Sequence, residues 1–252
     1  MTPVCVFRAA VVLFFALWAG VAAAQAPQAG PEDAERVHAA FAKLIEQSET
    51  RTHFGLPEDT FWRHRGPLGI ALMSDSAQAS AASLRQVAAI FSEPTGLDIA
   101  LVDTGAAPQA GDGLDSIAAE ADLVIAVGPR QDLAEVAFAA GFEKGMLARF
   151  EIGTLPFVFS FTEGMKRRGV VLLADDEPER AREASFILAT VWALGGVTLG
   201  PELTGLIDPD PASGPALTPL GKAVFALFFH SELEVGASLS DTLLRARALL
   251  TE

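Results

Sequence analysis

The chain has 252 residues, 50% of them hydrophobic and 20% charged, a balance that indicates a folded globular protein and argues against a disordered one. Lys and Arg number 18 against 32 Asp and Glu, so the formal charge of −14 argues against binding to nucleic acid, which needs clustered basic residues. A single cysteine (Cys5) and four histidines exclude a disulfide scaffold, a zinc finger and an iron–sulfur protein.

The first 24 residues resemble a secretory signal peptide. Arg8 supplies positive charge, an apolar run follows over 9–21, and small residues end it. We expect cleavage after Ala24, which removes Cys5, then a Pro/Ala/Gly spacer over 25–31 and a mature domain over 32–252. The alternative is an uncleaved membrane anchor, but the run is short for a span of about 20 residues.

The expected location follows from this segment and from composition. Only four of the 18 basic residues are Lys, which together with abundant Ala indicates a GC-rich bacterial genome. We therefore expect a periplasmic or secreted protein, which meets a membrane only transiently, through its signal peptide.

Hydrophobic periodicity and turn residues predict the elements of the mature chain. The predicted helices cover 31–48, 80–92, 131–140, 178–194, 219–229 and 242–250. The predicted strands cover 68–73, 97–102, 122–127, 156–162 and 169–174. No repeat or linker divides the chain, so the fold class we expect is α+β, a single domain with a mixed central sheet and packed helices.

Local signals predict where several of these elements begin. The carboxylates of 175–177 are expected to cap the helix at Pro178, Thr218 to cap the next helix, and Ser240–Asp241 to open the last one. Lys166, Arg167 and Arg168 are expected to form a polar turn, as in a solvated hairpin.

The helix over 178–194 differs from the others in its second half. From Phe186 to Leu194 it is apolar nearly all round, and Gly195–Gly196 ends it. A helix that is hydrophobic on every side is expected at the centre of the fold.

Familiar catalytic and nucleotide-binding motifs are absent from the sequence. It contains no P-loop, no G-x-G-x-x-G after a strand, no G-x-S-x-G nucleophile elbow and no H-E-x-x-H. A site would therefore have to be assembled from distant residues.

One polar group lies in the early irregular stretch, where His53 and His64 flank Trp62, Arg63 and Arg65. It could form a polar lip that binds an anionic ligand. The simpler interpretation, which we favour, is a solvated loop with aromatic anchors.

A second polar group is near the C-terminus. His230, Glu232 and Glu234 could bind a divalent cation, but a helix C-terminus, where His is favoured by the dipole, followed by an acidic turn explains them more simply. Asp208 and Asp210 could act as a carboxylate pair in acid–base catalysis or could bind calcium. The simpler interpretation is that they belong to a proline-rich surface turn.

An aromatic group alternates along one predicted strand. Phe157, Phe159 and Phe161 could line an apolar ligand groove, although packing in the core is the simpler interpretation.

A pattern in the C-terminal third carries a resemblance to a known family. The segment 168–173 (Arg-Gly-Val-Val-Leu-Leu) leads into an acidic cap and a long helix that closes with Trp-Ala-Leu-Gly-Gly at 192–196. The segments 216–220, 227–229 and 232–236 follow. Over 169–250 this pattern resembles an uncharacterised family of exported proteobacterial proteins, which looks like a relative of the zincin metallopeptidases with a degenerate zinc-binding helix.

This resemblance implies a zincin-like architecture without its chemistry. Where the family carries Glu, Glu and Gln, this helix has Leu188, Ala189 and Trp192, and Thr190 has the only side-chain oxygen between Leu188 and Leu194. A zinc peptidase needs metal donors and a carboxylate that activates water. No catalytic residue, metal ligand or cofactor therefore carries over, and Leu188, Ala189, Thr190 and Trp192 would line an old substrate groove that binds an envelope protein or peptide.

Two other functions stay open. One is an atypical hydrolase with dispersed acid and base residues, in which Asp208, His230 and Glu232 meet in one cleft and a carboxylate pKa is raised. The other is a structural or assembly factor.

Overall fold

The computed structural model describes residues 31–46, 59–75, 77–109, 121–139, 157–163, 166–197, 203–208 and 214–252. Its helices are α1 (Pro31–Ile45), α2 (Ala77–Thr95), α3 (Arg130–Ala139), α4 (Glu179–Leu194), α5 (Pro219–Phe228) and α6 (Leu239–Leu249). Its strands are β1 (Leu68–Ser74), β2 (Ile99–Gly105), β3 (Leu123–Gly128), β4 (Phe157–Glu163), β5 (Lys166–Ala174), β6 (Ile207–Asp208) and β7 (Ala216–Leu217). The predicted signal peptide and residues 25–30 of the spacer lie outside the described residues.

Five strands form one sheet in the spatial order β2-β1-β3-β5-β4. The strands from β2 to β5 run parallel, with Ile70 opposite both Leu101 and Leu123, whereas β4 runs antiparallel to β5 at the edge. The predicted combination of helices with a mixed central sheet is therefore confirmed. The short strands β6 and β7 form a separate antiparallel pair.

Helices cover both faces of the sheet, which explains why β3 is buried at every position. Its residues alternate between two cores: Leu123, Ile125 and Val127 join the larger one, and Val124 and Ala126 the smaller one. Helix α3 completes the smaller core, and residues of the other five described helices complete the larger. The sheet is thus the middle layer of three.

Helix α4 lies at the centre of the larger core, against β3, β5 and α2. The residues from Phe186 to Gly196 are buried except Leu188 and Ala193, which are half-buried. Burial of a single large apolar side chain such as Phe186 contributes roughly 1.5–3 kcal/mol. The predicted apolar core segment is therefore confirmed.

The start of α4 differs from the prediction. Pro178 is the N-cap residue and no side chain caps the helix. Two of the three carboxylates expected there bind Arg130 instead: its Nε lies 2.8 Å from Oδ1 of Asp176, and its Nη2 lies 2.6 Å from Oε1 of Glu177. These hydrogen bonds raise the pKa of Arg130; the bond to Asp176 has the largest effect, and the bond to Glu177 has the next largest.

Three other local predictions can be compared with the structure. Thr218 caps α5 as expected, because its Oγ1 accepts the N–H of Gly221 at 3.0 Å. Helix α6 begins one residue after Ser238, which accepts the N–H of Asp241, so the predicted start at 240–241 was late. The hairpin expected around 166–168 is present, because β4 and β5 are antiparallel neighbours, but the turn was placed wrongly: residues 166–168 belong to β5, and Lys166 pairs with Glu163.

Candidate functional site

The four predicted groove residues lie mainly inside the protein. Ala189 and Thr190 are fully buried, Trp192 is 5% exposed, and Leu188 is half-buried. The Thr190 hydroxyl donates to the carbonyl oxygen of Phe186 at 2.8 Å, so the only polar side chain of this group is satisfied within its own helix. The groove prediction therefore needs correction: apolar packing places three of the four side chains in the core, away from solvent.

The C-terminal end of α4 is held by the segment 61–64. Gly195 has φ +114°, and its N–H bonds the carbonyl oxygens of Val191 and Trp192. A Cβ at this glycine would lie 2.8 Å from the Trp62 carbonyl oxygen and 2.9 Å from Cα of Arg63, so the backbones approach closely here. The N–H of His64 bonds the Leu194 carbonyl at 2.9 Å, so the helix end fixes the position of Arg63.

The same segment also pairs with the loop before α6. Phe61 donates its N–H to the Ala237 carbonyl at 2.8 Å and accepts the N–H of Gly236 at 2.9 Å. Its fully buried ring meets the rings of Phe41 and Phe228, with centroids 6.3 and 5.4 Å away. Phe61 therefore anchors the segment in the core, two residues before Arg63.

Arg63 extends from this anchor to the C-terminal end of α5. Its Nη1 donates to the carbonyl oxygens of Phe228 at 2.8 Å and His230 at 2.9 Å. Its Cζ lies 5.9 Å from the ring centre of Phe61 and 5.6 Å from that of Phe229. A cation at a helix C-terminus is favourable, because the last carbonyls carry partial negative charge.

The charge of Arg63 is nevertheless poorly compensated. Burial, and secondly the charge of Arg65, lower the pKa of Arg63 to about 10. Among the described residues, no carboxylate forms an ion pair with its guanidinium. Arg65 itself is exposed.

The other members of the predicted polar lip differ in their positions. His64 is buried, and its Nε2 lies 3.0 Å from the Pro67 carbonyl oxygen, which is a local structural contact. Trp62 is half-buried beside Gly195. His53 lies outside the described residues. The structure thus retains Arg63 and Arg65 as the charged groups of this segment.

The second polar group does not form a cluster of metal donors. His230 is half-buried and its Nδ1 accepts the N–H of Glu232 at 3.3 Å, while Glu232 and Glu234 are exposed. Glu232 binds Arg245, and this hydrogen bond is the main cause of its lowered pKa. In the described part of the chain, no three His, Cys, Asp or Glu residues come together as a possible metal site.

Of the two aspartates of the proline-rich turn, the structure describes Asp208. Asp208 is exposed on β6, opposite Ala216 of β7. Asp210 lies outside the described residues. Nothing in the described contacts brings Asp208 to His230 or Glu232, and the Glu232 pKa is shifted downward, opposite to what a general acid requires.

The aromatic strand is described only in its backbone. Phe157, Phe159 and Phe161 lie on β4 opposite Leu172, Val170 and Arg168. The register therefore confirms that the three residues share one face of the strand. Their side chains are not described, so a ligand groove and packing in the core both stay predictions.

Another feature that the sequence did not predict lies at the carboxyl ends of the parallel strands. In sheets of this type, ligands usually bind where neighbouring strands connect in opposite directions, here between β1 and β3. Ala107 packs at this point: its N–H bonds Oδ1 of Asp75 at 3.1 Å, and a Cβ on Gly128 would lie 3.3 Å from its Cβ. In the sequence, only the small size of Ala107 and Gly128 indicated that two backbone segments could pack closely here.

Comparisons with known proteins add no relative: no protein-family model, curated protein or solved structure matches the chain. The zincin-like form of the fold is therefore not confirmed, and the resemblance in the C-terminal third remains an expectation. No helix within the described ranges is long and apolar enough to cross a membrane.

Proposed function

We propose that the protein is an exported, non-catalytic binding protein of the cell envelope whose partner is a protein or a peptide. The observation that carries this proposal is the packing of α4. Its second half, from Phe186 to Leu194, contributes side chains to the larger core where a metallopeptidase would present donors to an open cleft.

The chemistry of this helix supports a packing role. Ala189 and Trp192 offer no metal donor, and Leu188, the half-buried member of the group, offers none either. The Thr190 hydroxyl is already bonded to the helix backbone. Activation of water would require a carboxylate or a metal ion at this position, and no residue from Phe186 to Leu194 carries a carboxylate.

The hydrolase alternative receives less support from the contacts of its residues. The Glu232 carboxylate is held by Arg245 in its ionised form, and the His230 ring accepts a backbone N–H. Asp208 lies on the separate β6–β7 pair. The side chains of His230 and Glu232 thus have structural partners of their own, and a shared reaction centre would require both to leave them.

The non-catalytic half of the proposal is tested by metal content and hydrolysis. Purified mature chain is analysed for zinc and assayed on a mixed peptide library with and without a chelator. We expect substoichiometric zinc and no chelator-sensitive hydrolysis, with the same result for His230→Ala and Glu232→Gln. Stoichiometric, tightly held zinc with hydrolysis lost on chelation would overturn the proposal.

The binding half is tested by site-specific crosslinking in intact cells. A photo-crosslinking amino acid is introduced at Ser231, which is exposed beside His230, and at Ala184, which is exposed on α4. We expect a discrete adduct with one envelope component from position 231 and none from position 184. Absence of an adduct from both positions would contradict a binding role.

A further inference from the structure

The guanidinium of Arg63 uses only part of its hydrogen-bonding capacity. Arginine has five N–H donors, two on each terminal nitrogen and one on Nε. Both side-chain hydrogen bonds of Arg63 use Nη1, which donates to the carbonyl oxygens of Phe228 and His230. Nε and Nη2 donate to no residue that the structure describes.

The unused atoms form one edge of the planar group. The N–H bonds of Nε and Nη2 are nearly parallel, and this is the edge on which arginine binds the two oxygens of a carboxylate side by side. The rings of Phe61 and Phe229 lie within 6 Å of Cζ and limit the orientations of the plane. The edge is therefore oriented in advance for a planar, bidentate anion.

Capping of α5 does not by itself account for an arginine at this position. Two carbonyl oxygens need two donors, and a lysine ammonium carries three. Lysine would also cap the helix as a point charge. Compared with lysine, arginine adds the Nε–Nη2 edge. Its half-buried charge has no ion-paired carboxylate among the described residues.

The surrounding charge favours an anion at this edge. Arg65 is close enough to lower the pKa of Arg63, so the two cations repel each other on a chain whose formal charge is −14. An anion bound to Arg63 would offset this repulsion. Glu232, an acidic side chain two residues beyond His230, is bound to Arg245.

We propose that the Nε–Nη2 edge of Arg63, assisted by the charge of Arg65, binds a carboxylate group of the partner. This inference names a ligand class for the binding role proposed above and rests on it. A carboxylate is proposed because its two coplanar oxygens match the two parallel donors of this edge.

The test uses benzoate as the probe and benzamide, its neutral analogue of similar shape, as the control. Mature protein labelled with ¹⁵N is titrated with each at low ionic strength, and the Nε–H resonance of Arg63 is followed by NMR. We expect benzoate to shift this resonance saturably and benzamide to leave it in place. Equal shifts with both probes, or equal affinity for inorganic phosphate, would overturn the proposal.

Three variants separate the contribution of the Nε–Nη2 edge to benzoate binding from the contribution of positive charge alone. Arg63→Lys keeps the charge and the cap, and should weaken benzoate binding by about tenfold or more, since one charge-assisted pair is lost. Arg65→Gln alters an exposed residue and should weaken binding roughly twofold to fivefold. Arg245→Lys, at an arginine already paired with Glu232, is the control and should leave the affinity unchanged.

The variants are followed through Trp62 and Trp192 fluorescence or heat signals, and thermal unfolding checks their fold. Unchanged benzoate affinity in folded Arg63→Lys and Arg65→Gln would overturn the proposal. Failure of benzoate to bind, with zinc and hydrolysis absent, would remove this site and leave the non-catalytic role standing. Stoichiometric zinc would remove that role whatever benzoate does.

Discussion

The close approach of two backbones at Gly195 yields a quantitative prediction. Gly195→Ala places a methyl group 2.8 Å from the Trp62 carbonyl oxygen and 2.9 Å from Cα of Arg63, and both are backbone atoms that cannot simply rotate away. A left-handed φ costs a non-glycine residue roughly 1–2 kcal/mol. Overpacking in a filled region adds about 1–3 kcal/mol. We therefore expect the free energy of unfolding to fall by about 2–5 kcal/mol.

Gly236→Ala is the matched control for this variant. Gly236 has a similar φ of +100°, against +114° for Gly195, but a Cβ there meets no atom within 4 Å. Only the conformational penalty of roughly 1–2 kcal/mol should remain. The gain from a less flexible unfolded chain is the same in both variants and cancels in the comparison.

Urea unfolding followed by circular dichroism measures both variants. The difference between them, about 1–3 kcal/mol, reports the contact between the end of α4 and the segment 61–64. Equal losses in Gly195→Ala and Gly236→Ala would show that this segment does not pass over the helix end, and the position of Arg63 would lose its support.

Three further outcomes follow from other parts of the chain. Thr190→Val should change the free energy of unfolding by less than about 1 kcal/mol, because it removes one internal hydrogen bond and keeps the shape; a larger loss in urea unfolding would indicate another role for the hydroxyl. The Glu232 pKa is lowered from 4.5 by Arg245, so this group stabilises the fold above pH 4.5 and loses that effect as the pH falls. Glu232→Gln should therefore flatten the acid limb of a melting-temperature profile, and an unchanged limb would contradict the ion pair. Protein recovered from the periplasm should begin at Gln25, and a recovered Met1 would contradict cleavage after Ala24.

The order of helices and strands could be predicted because each element carries its own periodic signal. The all-apolar strand at 122–127 and the helix ending at Gly195–Gly196 are examples, and both appear within two residues of the expected bounds. Termini were less predictable, because competing local signals coincide there. Pro94 was expected beyond the end of α2, yet it lies in the last turn of the helix, before Gly96 at φ +67°.

Long-range pairings could not be predicted from local patterns. Asp176 and Glu177 resemble capping residues, and only the fold brings Arg130 to them from 46 and 47 residues away. Arg63 is separated from Phe228 by 165 residues, so its position at the end of α5 carries no sequence signal beyond the aromatic residues nearby. The strand order and the choice of sheet face for α3 likewise depend on the packing of the whole chain.

The second half of α4 packs into the core of the protein, and a single substitution made at two positions tests this placement. Ala189 is fully buried and Ala184 is exposed on the same helix. A carboxylate forced into the core without a partner costs about 3–5 kcal/mol, whereas an exposed substitution changes stability by about 0.5 kcal/mol or less.

The measurement is urea unfolding of Ala189→Glu and Ala184→Glu at neutral pH. We expect Ala189→Glu to be strongly destabilised or to fail to fold, whereas Ala184→Glu should unfold at a urea concentration close to that of the parent chain. If both variants unfold at the same urea concentration, position 189 borders water or an open groove, and the claim that this helix serves only packing is wrong.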